Sequence, residues 1–182
     1  KQFFVALVVA TAVISSLITF GVTNQVSPQL SERTTLGAQT SGGVCLSEKE
    51  LRTLISENGI VAYWTGPVQG ATYSINTVTP GQVFVRYILE GMECGSTESK
   101  FRVIATYAEV DAFNSTQQAG NQAEGVSLAN PDGSVVYFNK NAPSNVYLAY
   151  PGIDYQIEIY DPDPKTAVTL ATTSNQVQLI RG

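Results

Sequence analysis

The chain contains no histidine. Ser-His-Asp and Cys-His nucleophile systems are thereby excluded, as are His-based metal sites. Two cysteines occur, Cys45 and Cys94, with neither a CxxC motif nor a histidine beside them. Such a pair matches one disulfide formed in an oxidising compartment. Closing a loop of about 50 residues would stabilise the domain by roughly 3–4 kcal/mol in the chain-entropy model. The same bond would leave no free thiolate. Ser-Lys catalysis would need Lys49, Lys100, Lys140 or Lys165 in a Ser-x-x-Lys motif, and none of the four stands in one. Carboxylates remain, and Asp154, Glu158, Asp161 and Asp163 cluster in "GIDYQIEIYDPDP". They could serve as a glycosidase pair or as oxygen ligands for Ca²⁺. Asp161 and Asp163 each precede a proline, however, and turn and helix-cap roles are the favoured reading. No catalytic residue, cofactor or metal is expected.

The aromatic residues Tyr63, Trp64, Tyr73 and Tyr87 support two readings. They could form a stacking platform for a sugar or peptide, or the aromatic half of a sheet core. Their alternating positions on neighbouring strands favour the core, and the platform is retained as the candidate binding site. Arg86, between Val85 and Tyr87, is expected on the solvent side of the same sheet, paired to an acidic neighbour.

The elements that would hold these residues follow from periodicity. "CLSEKELRTLISENGI" reads as a helix: Ser47 and Glu50 make a capping-box pattern, Leu51, Leu54 and Ile55 an apolar stripe, and Gly59 a stop. The period then falls to two in "IVAYWTG", "ATYSINTV", "GQVFVRYIL" and "KFRVIATY", separated by Gly66-Pro67, Gly70 and Pro80-Gly81. Four consecutive strands with short connections suggest an antiparallel meander. A helix is expected over about Val110 to Ala119, with Val110, Phe113 and Gln117 along it. Strands are expected at "GSVVYFN", "NVYLAY" and "YQIEIYD". Asp163-Pro164 should start a helix over "KTAVTLATTSN", and "QVQLI" should close the sheet as an edge strand. The fold class is therefore α+β: an N-terminal hydrophobic helix, then about seven or eight antiparallel strands with two or three short helices on one face.

The N-terminal segment carries the strongest signal. Phe3 to Val22 holds no charge. As a helix of about 1.5 Å per residue it would reach about 30 Å, the thickness of a bilayer's hydrocarbon core. Its large apolar residues Phe3, Phe4, Leu7, Val8, Ile14, Leu17, Ile18 and Phe20 would face lipid or copies of the same helix. The run exceeds the usual h-region of a secretory signal, and only Thr19-Phe20-Gly21 resembles a cleavage site. A retained anchor or stalk is therefore expected. Lys1 before it, and Glu32 and Arg33 after it, favour an inside N-terminus and an outside domain. The start at Lys1, without methionine, fits a processed or truncated chain. Residues 1–25 are thus read as transmembrane or stalk helix, 26–44 as a Ser/Thr/Gly-rich linker, and 45–182 as an extracytoplasmic domain. The balance of 10 basic against 15 acidic residues, with the basic ones scattered, excludes a nucleic-acid stripe.

Several stretches together resemble a group of small membrane-anchored extracytoplasmic proteins of actinobacteria. These are Tyr63-Trp64-Thr65-Gly66-Pro67, Gly70 to Tyr73, Val83 to Tyr87, Tyr150-Pro151-Gly152 and Tyr160-Asp161-Pro162. The resemblance runs from about Leu51 to Arg181 and implies an envelope location, but it brings no assigned activity. The cysteine pair lies outside those recurring stretches. In such a bacterial protein the glycosylation sequon at Asn114 carries no weight.

Two functions of different class follow. In the first, the chain is a non-enzymatic, single-pass, membrane-anchored binding or accessory-subunit domain of the cell envelope, with a protein partner. In the second, the apolar helix bundles with copies of itself as the core of a pilus-like extracellular filament. Val5 stands where a type IV pilin has its Glu, and Pro28 interrupts the long helix such pilins carry, so the first reading leads.

Overall fold

The computed structural model describes residues 44–96 and 98–182. The apolar run with Phe3, Phe4, Leu7, Val8, Ile14, Leu17, Ile18 and Phe20, and nearly all of the linker, lie outside the described residues. Among the described residues no helix is long and apolar enough to cross a membrane.

The elements are α1 (Glu48–Glu57), β1 (Tyr63–Trp64), β2 (Thr72–Asn76), β3 (Gln82–Ile88), β4 (Val103–Ala108), α2 (Ala112–Gly120), β5 (Gly125–Ala129), β6 (Val135–Asn139), β7 (Asn145–Ala149), β8 (Tyr155–Tyr160), α3 (Pro164–Thr172) and β9 (Gln178–Leu179). Seven strands form one antiparallel sheet in the order β2-β3-β4-β8-β7-β6-β5, and β1 pairs with β9 in a separate ribbon. The domain is α+β, with three helices and a largely antiparallel sheet among the described residues.

Local chemistry sets the helix boundaries. At α1 the Ser47 N–H donates to Glu50 Oε2 (2.8 Å) and the Glu50 N–H to Ser47 Oγ (3.3 Å), which answers two of the donors a helix start leaves unpaired. Leu51 and Ile55 are its buried face. At α3, Asp163 accepts from the Lys165 N–H (3.2 Å) and Thr166 Oγ1 (2.7 Å), with Pro164 at the first helical position. Ala167 and Ala171 face inward.

Three expectations are corrected. First, "IVAYWTG" does not begin a four-strand meander; only Tyr63 and Trp64 are extended, and they pair with Leu179 and Gln178. The final "QVQLI" segment therefore lies in that ribbon rather than at the edge of the main sheet. Second, the main sheet has an additional strand, β5, which the sequence reading passed over. Its five residues, Gly125-Val126-Ser127-Leu128-Ala129, include a glycine and no aromatic, unlike the other strands of the main sheet. Third, α2 buries Ala112, Thr116 and Gly120, whereas Val110 is 84 % exposed and Gln117 points outward. This helix lies close to the sheet, and its fully buried positions are all small. A Cβ on Gly120 would stand 2.4 Å from Ser127 Cβ, so glycine is required there.

The two sheet faces differ. Against one, α1, the β1-β9 ribbon and α3 close a core built on Tyr73, Ile75, Val85, Tyr87, Ile104, Val136, Val146, Leu148, Ile157 and Ile159. On the other, α2 packs over β5, β6, β7 and β8 through Ala112, Phe113, Val135 and Ala149. It covers one end of that face, the β3-β4 connection lies over the other, and the part between is left partly open.

Candidate functional site

Register decides which side chains share the partly open face. Ser127, Tyr137, Tyr147, Glu158, Ala105 and Phe84 are consecutive cross-strand partners from β5 to β3. Side chains alternate along each strand, so all six point to one side of the sheet, and Tyr107, two residues after Ala105, joins them. From Tyr137 to Phe84 the row crosses β6, β7, β8, β4 and β3, a span of about 19 Å at about 4.8 Å per strand. Tyr137 stacks with Tyr147 (centroids 5.7 Å, planes 23° apart), and Phe84 meets Tyr107 edge-on (5.9 Å, 87°). Between the two aromatic pairs the register position belongs to Ala105, which is buried and too small to fill the row.

Glu158 organises this surface. Tyr107 Oη donates to Glu158 Oε2 (2.5 Å), while Asn145 Nδ2 (2.7 Å) and Tyr147 Oη (3.4 Å) donate to Oε1. Burial pushes the Tyr107 and Tyr147 hydroxyls upward in pKa, and the negative charge of Glu158 pushes them further. Both phenols therefore stay protonated and act as fixed donors to the carboxylate. Phe84, Tyr107, Tyr137, Tyr147 and Glu158 are half-buried, each with part of its surface accessible.

The face is bordered at both ends. At one, Gln156 Nε2 donates to Thr116 Oγ1 of α2 (2.8 Å). At the other, the β3-β4 connection folds over the sheet: Arg86 Nη1 donates to the Ser96 carbonyl (2.6 Å) and Tyr160 Oη to the Ser99 carbonyl (2.7 Å). The Arg86 guanidinium also lies 5.1 Å from the Phe101 ring centroid. Arg86 thus occupies the predicted side of the sheet, but it is half-buried and its partners are a carbonyl and a ring rather than an acid. Cys94 in this connection is bonded to Cys45, with a Cα–Cα separation of 5.7 Å. The disulfide therefore pins the loop that borders the open face to the segment leading into α1.

The sequence-derived candidates lie elsewhere. Trp64, Tyr73 and Tyr87 are each 1 % exposed, in the closed core, with Trp64 and Tyr73 rings 5.8 Å apart and Tyr73 and Tyr87 rings 5.2 Å apart. They present no ring face to a ligand: for these three residues the favoured core reading holds, and the alternative of a binding platform is corrected. Tyr63 is half-buried and stacks on Tyr150 at 6.3 Å. The acidic cluster is also dispersed. Asp154 accepts from the Asp111 N–H (3.0 Å), Glu158 holds the tyrosines, Asp161 pairs with Arg102 (2.8 Å), and Asp163 caps α3. Among the described residues no group of three or more His, Cys, Asp or Glu is placed to hold a metal.

A signal for the open face was present in the strand sequences. In "GQVFVRYIL" Arg86 marks the less buried face, and Phe84 shares its parity while Tyr87 does not. The same rule assigns Tyr107, Tyr147 and Glu158 against Ile104, Leu148 and Ile157. Comparison with protein-family models, with curated proteins and with solved structures finds no match to this chain.

Proposed function

We propose that this chain is a non-enzymatic, membrane-anchored, extracytoplasmic binding domain of the cell envelope, and that its open sheet face receives a protein partner. The observation that carries the reading is the Phe84–Tyr107–Tyr147–Tyr137 row around Glu158, left half-open on a sheet whose opposite face is closed. Aromatic rings with polar tips are the residues interfaces favour, because they contribute large apolar contact area at little cost in conformational entropy. The tyrosines are held in place by Glu158 before any partner arrives, which reduces the ordering cost of binding.

Support for location comes from the uncharged run Phe3 to Val22 and from the disulfide. Support for a binding role over a catalytic one comes from the chemistry of the open face: the Glu158 carboxylate is engaged by three side-chain donors, two of them tyrosine hydroxyls held protonated.

The test places a photoreactive phenylalanine analogue at Tyr137, on the open face, and in a separate variant at Val110, which is exposed beyond it. Irradiation in intact cells, followed by mass spectrometry, should yield one recurring envelope-protein adduct from position 137 and none from 110. Adducts at 137 only with further copies of this chain would favour the filament subunit instead. Equal, heterogeneous labelling from both positions would reject the face as a binding site.

A further inference from the structure

The seven-stranded sheet has two edges, and they are treated differently. At β2 the outward groups of Tyr73 are taken: Leu46 N–H donates to Tyr73 O (2.7 Å) and Tyr73 N–H to Leu46 O (2.8 Å). The strap making those bonds is fixed next door by the Cys45–Cys94 disulfide. At β5 nothing comparable is found among the described residues.

Which groups β5 leaves free can be worked out from its pairing to β6. The Asn130 N–H donates to Ser134 O (2.9 Å) and the Lys140 N–H to Glu124 O (2.9 Å). Residues 124 and 130 therefore direct their backbone groups toward β6, and so do Val126 and Leu128 between them, because antiparallel hydrogen-bonded pairs alternate. The backbone groups of Gly125, Ser127 and Ala129 must point away from the sheet. The Gly125 N–H is used by Gln122 O (2.9 Å). The groups of Ser127 and Ala129 have no partner among the described residues. Within β5 there is also no charge and no proline to protect this edge.

We infer that the β5 edge is a homodimer interface, in which two copies pair antiparallel about Ser127 to give one continuous sheet. The strand is self-complementary in this register. Ser127 of each copy faces Ser127 of the other, with reciprocal N–H to C=O bonds, and each Ala129 N–H meets the opposing Gly125 C=O. On the face away from α2, Val126 of each copy lies directly across from Leu128 of the other. Leu128 is 38 % exposed, the largest apolar side chain of the strand, and this pairing covers it. Charge raises no barrier, because Glu124 falls opposite Asn130 and the two Glu124 residues end about 20 Å apart. Sterics permit the arrangement as well. The closest approach is at the C-terminal end of α2, where Gly120 lies over Ser127, so the two helix ends would meet near the two-fold axis through Ala119 and Gly120, which carry no bulky side chain. Both open aromatic faces would then lie on the same side of the joined sheet. The interface does not depend on what occupies those faces.

The test uses the full chain in detergent micelles, over a concentration series, read by sedimentation and by amide hydrogen exchange. Dimerisation is expected, with the Ser127 and Ala129 amides gaining protection as the dimer forms while Val126 and Leu128 are protected throughout. Ser127→Pro removes an outward N–H and leaves the β5-β6 ladder bonds intact. Leu128→Lys puts a charge into both apolar cross-pairs. Each should weaken the dimer at least about tenfold with unchanged circular dichroism. A chain that stays monomeric overturns the proposal, and so does a dimer that survives both variants. Protection of Ser127 and Ala129 at every concentration also overturns it, since the edge would then be covered within one chain.

Discussion

The two faces of the main sheet use the same residue types to opposite ends. On the closed face Tyr73 and Tyr87 pack with Trp64, and both hydroxyls are answered by the backbone that follows β1. Tyr87 Oη accepts from the Thr65 N–H (2.9 Å) and donates to the Gly66 carbonyl (3.0 Å), and Tyr73 Oη accepts from the Val68 N–H (3.0 Å). On the open face the hydroxyls of Tyr107 and Tyr147 are answered by one side chain, Glu158. A backbone partner brings a whole loop with it, and that loop closes the face. A carboxylate partner satisfies the hydroxyl and leaves the rings accessible. Aromatic content therefore does not distinguish core from surface here; the partner of the polar tip does.

The largest expected difference is in stability. Trp64→Ala should cost about 3–5 kcal/mol in urea unfolding of the 44–182 domain, the range for removing a fully buried aromatic. Tyr147→Ala should cost no more than about 1 kcal/mol, because its ring is only half-buried. Trp64→Phe sharpens the point. Trp64 Nε1 has no hydrogen-bond partner among the described residues, so replacing the indole loses packing but no bond. Its cost should fall well below that of Trp64→Ala. Equal losses at Trp64→Ala and Tyr147→Ala would abolish the distinction between the faces.

Next in size is the disulfide. Cys94→Ser should remove about 2–4 kcal/mol, from a bridge spanning 49 residues. The comparison predicts where the loosening falls. Amides near Ser96 and Ser99, whose carbonyls hold Arg86 and Tyr160 at the border of the open face, should exchange faster. Amides of the closed-face strands should change only in step with global stability.

The hydroxyl of Tyr87 gives a third, pH-dependent test. Burial pushes its pKa up to about 12. Between an unfolded value near 10 and that figure, the folded state binds more protons than the unfolded one, so stability falls as pH rises. The contribution is complete below about pH 10, is lost as pH passes 12, and amounts to roughly 2–3 kcal/mol. Tyr87→Phe should remove that part of the alkaline dependence. An unchanged profile would mean that Tyr87 ionises as freely as an exposed tyrosine.

Much of this architecture was legible in the sequence, and the misses have physical causes. Ser47 with Glu50, and Asp163 with Pro164, fixed two helix starts because capping chemistry is local. Long alternating runs gave β2, β3, β4, β6, β7 and β8. The role of Tyr63-Trp64 was not legible, because pairing with residues more than a hundred positions away leaves no local trace. Strand β5 was not legible because an edge strand with exposed residues needs few large apolar ones, and the α2 face because close approach to a sheet selects Ala, Thr and Gly at the positions directly beneath it. The favoured core reading of Trp64, Tyr73 and Tyr87 holds, while the open-face aromatics lie on the opposite side of the sheet and were not singled out. Strand parity relative to Arg86 separates Phe84 from Tyr87, and that parity was readable although aromatic clustering in sequence pointed elsewhere.

The smallest expected effect bears most directly on the open face. Glu158→Gln keeps an oxygen that can accept from a tyrosine but removes the charge that helps hold the Tyr107 and Tyr147 hydroxyls protonated. Burial is the larger cause of both shifts, so the pKa values should move down toward ordinary tyrosine without reaching it. Stability should change by about 1 kcal/mol or less, since the phenols are only part-buried and the hydroxyl that loses its oxygen can turn to accept from the new amide nitrogen. Ultraviolet titration of the phenolate band, in a background carrying Tyr87→Phe and Tyr150→Phe to remove the two other strongly shifted phenols, would read the change. Titration identical to that of the parent would mean that Glu158 does not set the charge of the face. The tyrosines would then owe their positions to ring packing alone, and the contrast drawn from the partners of their hydroxyls would fail at the surface where it matters for binding.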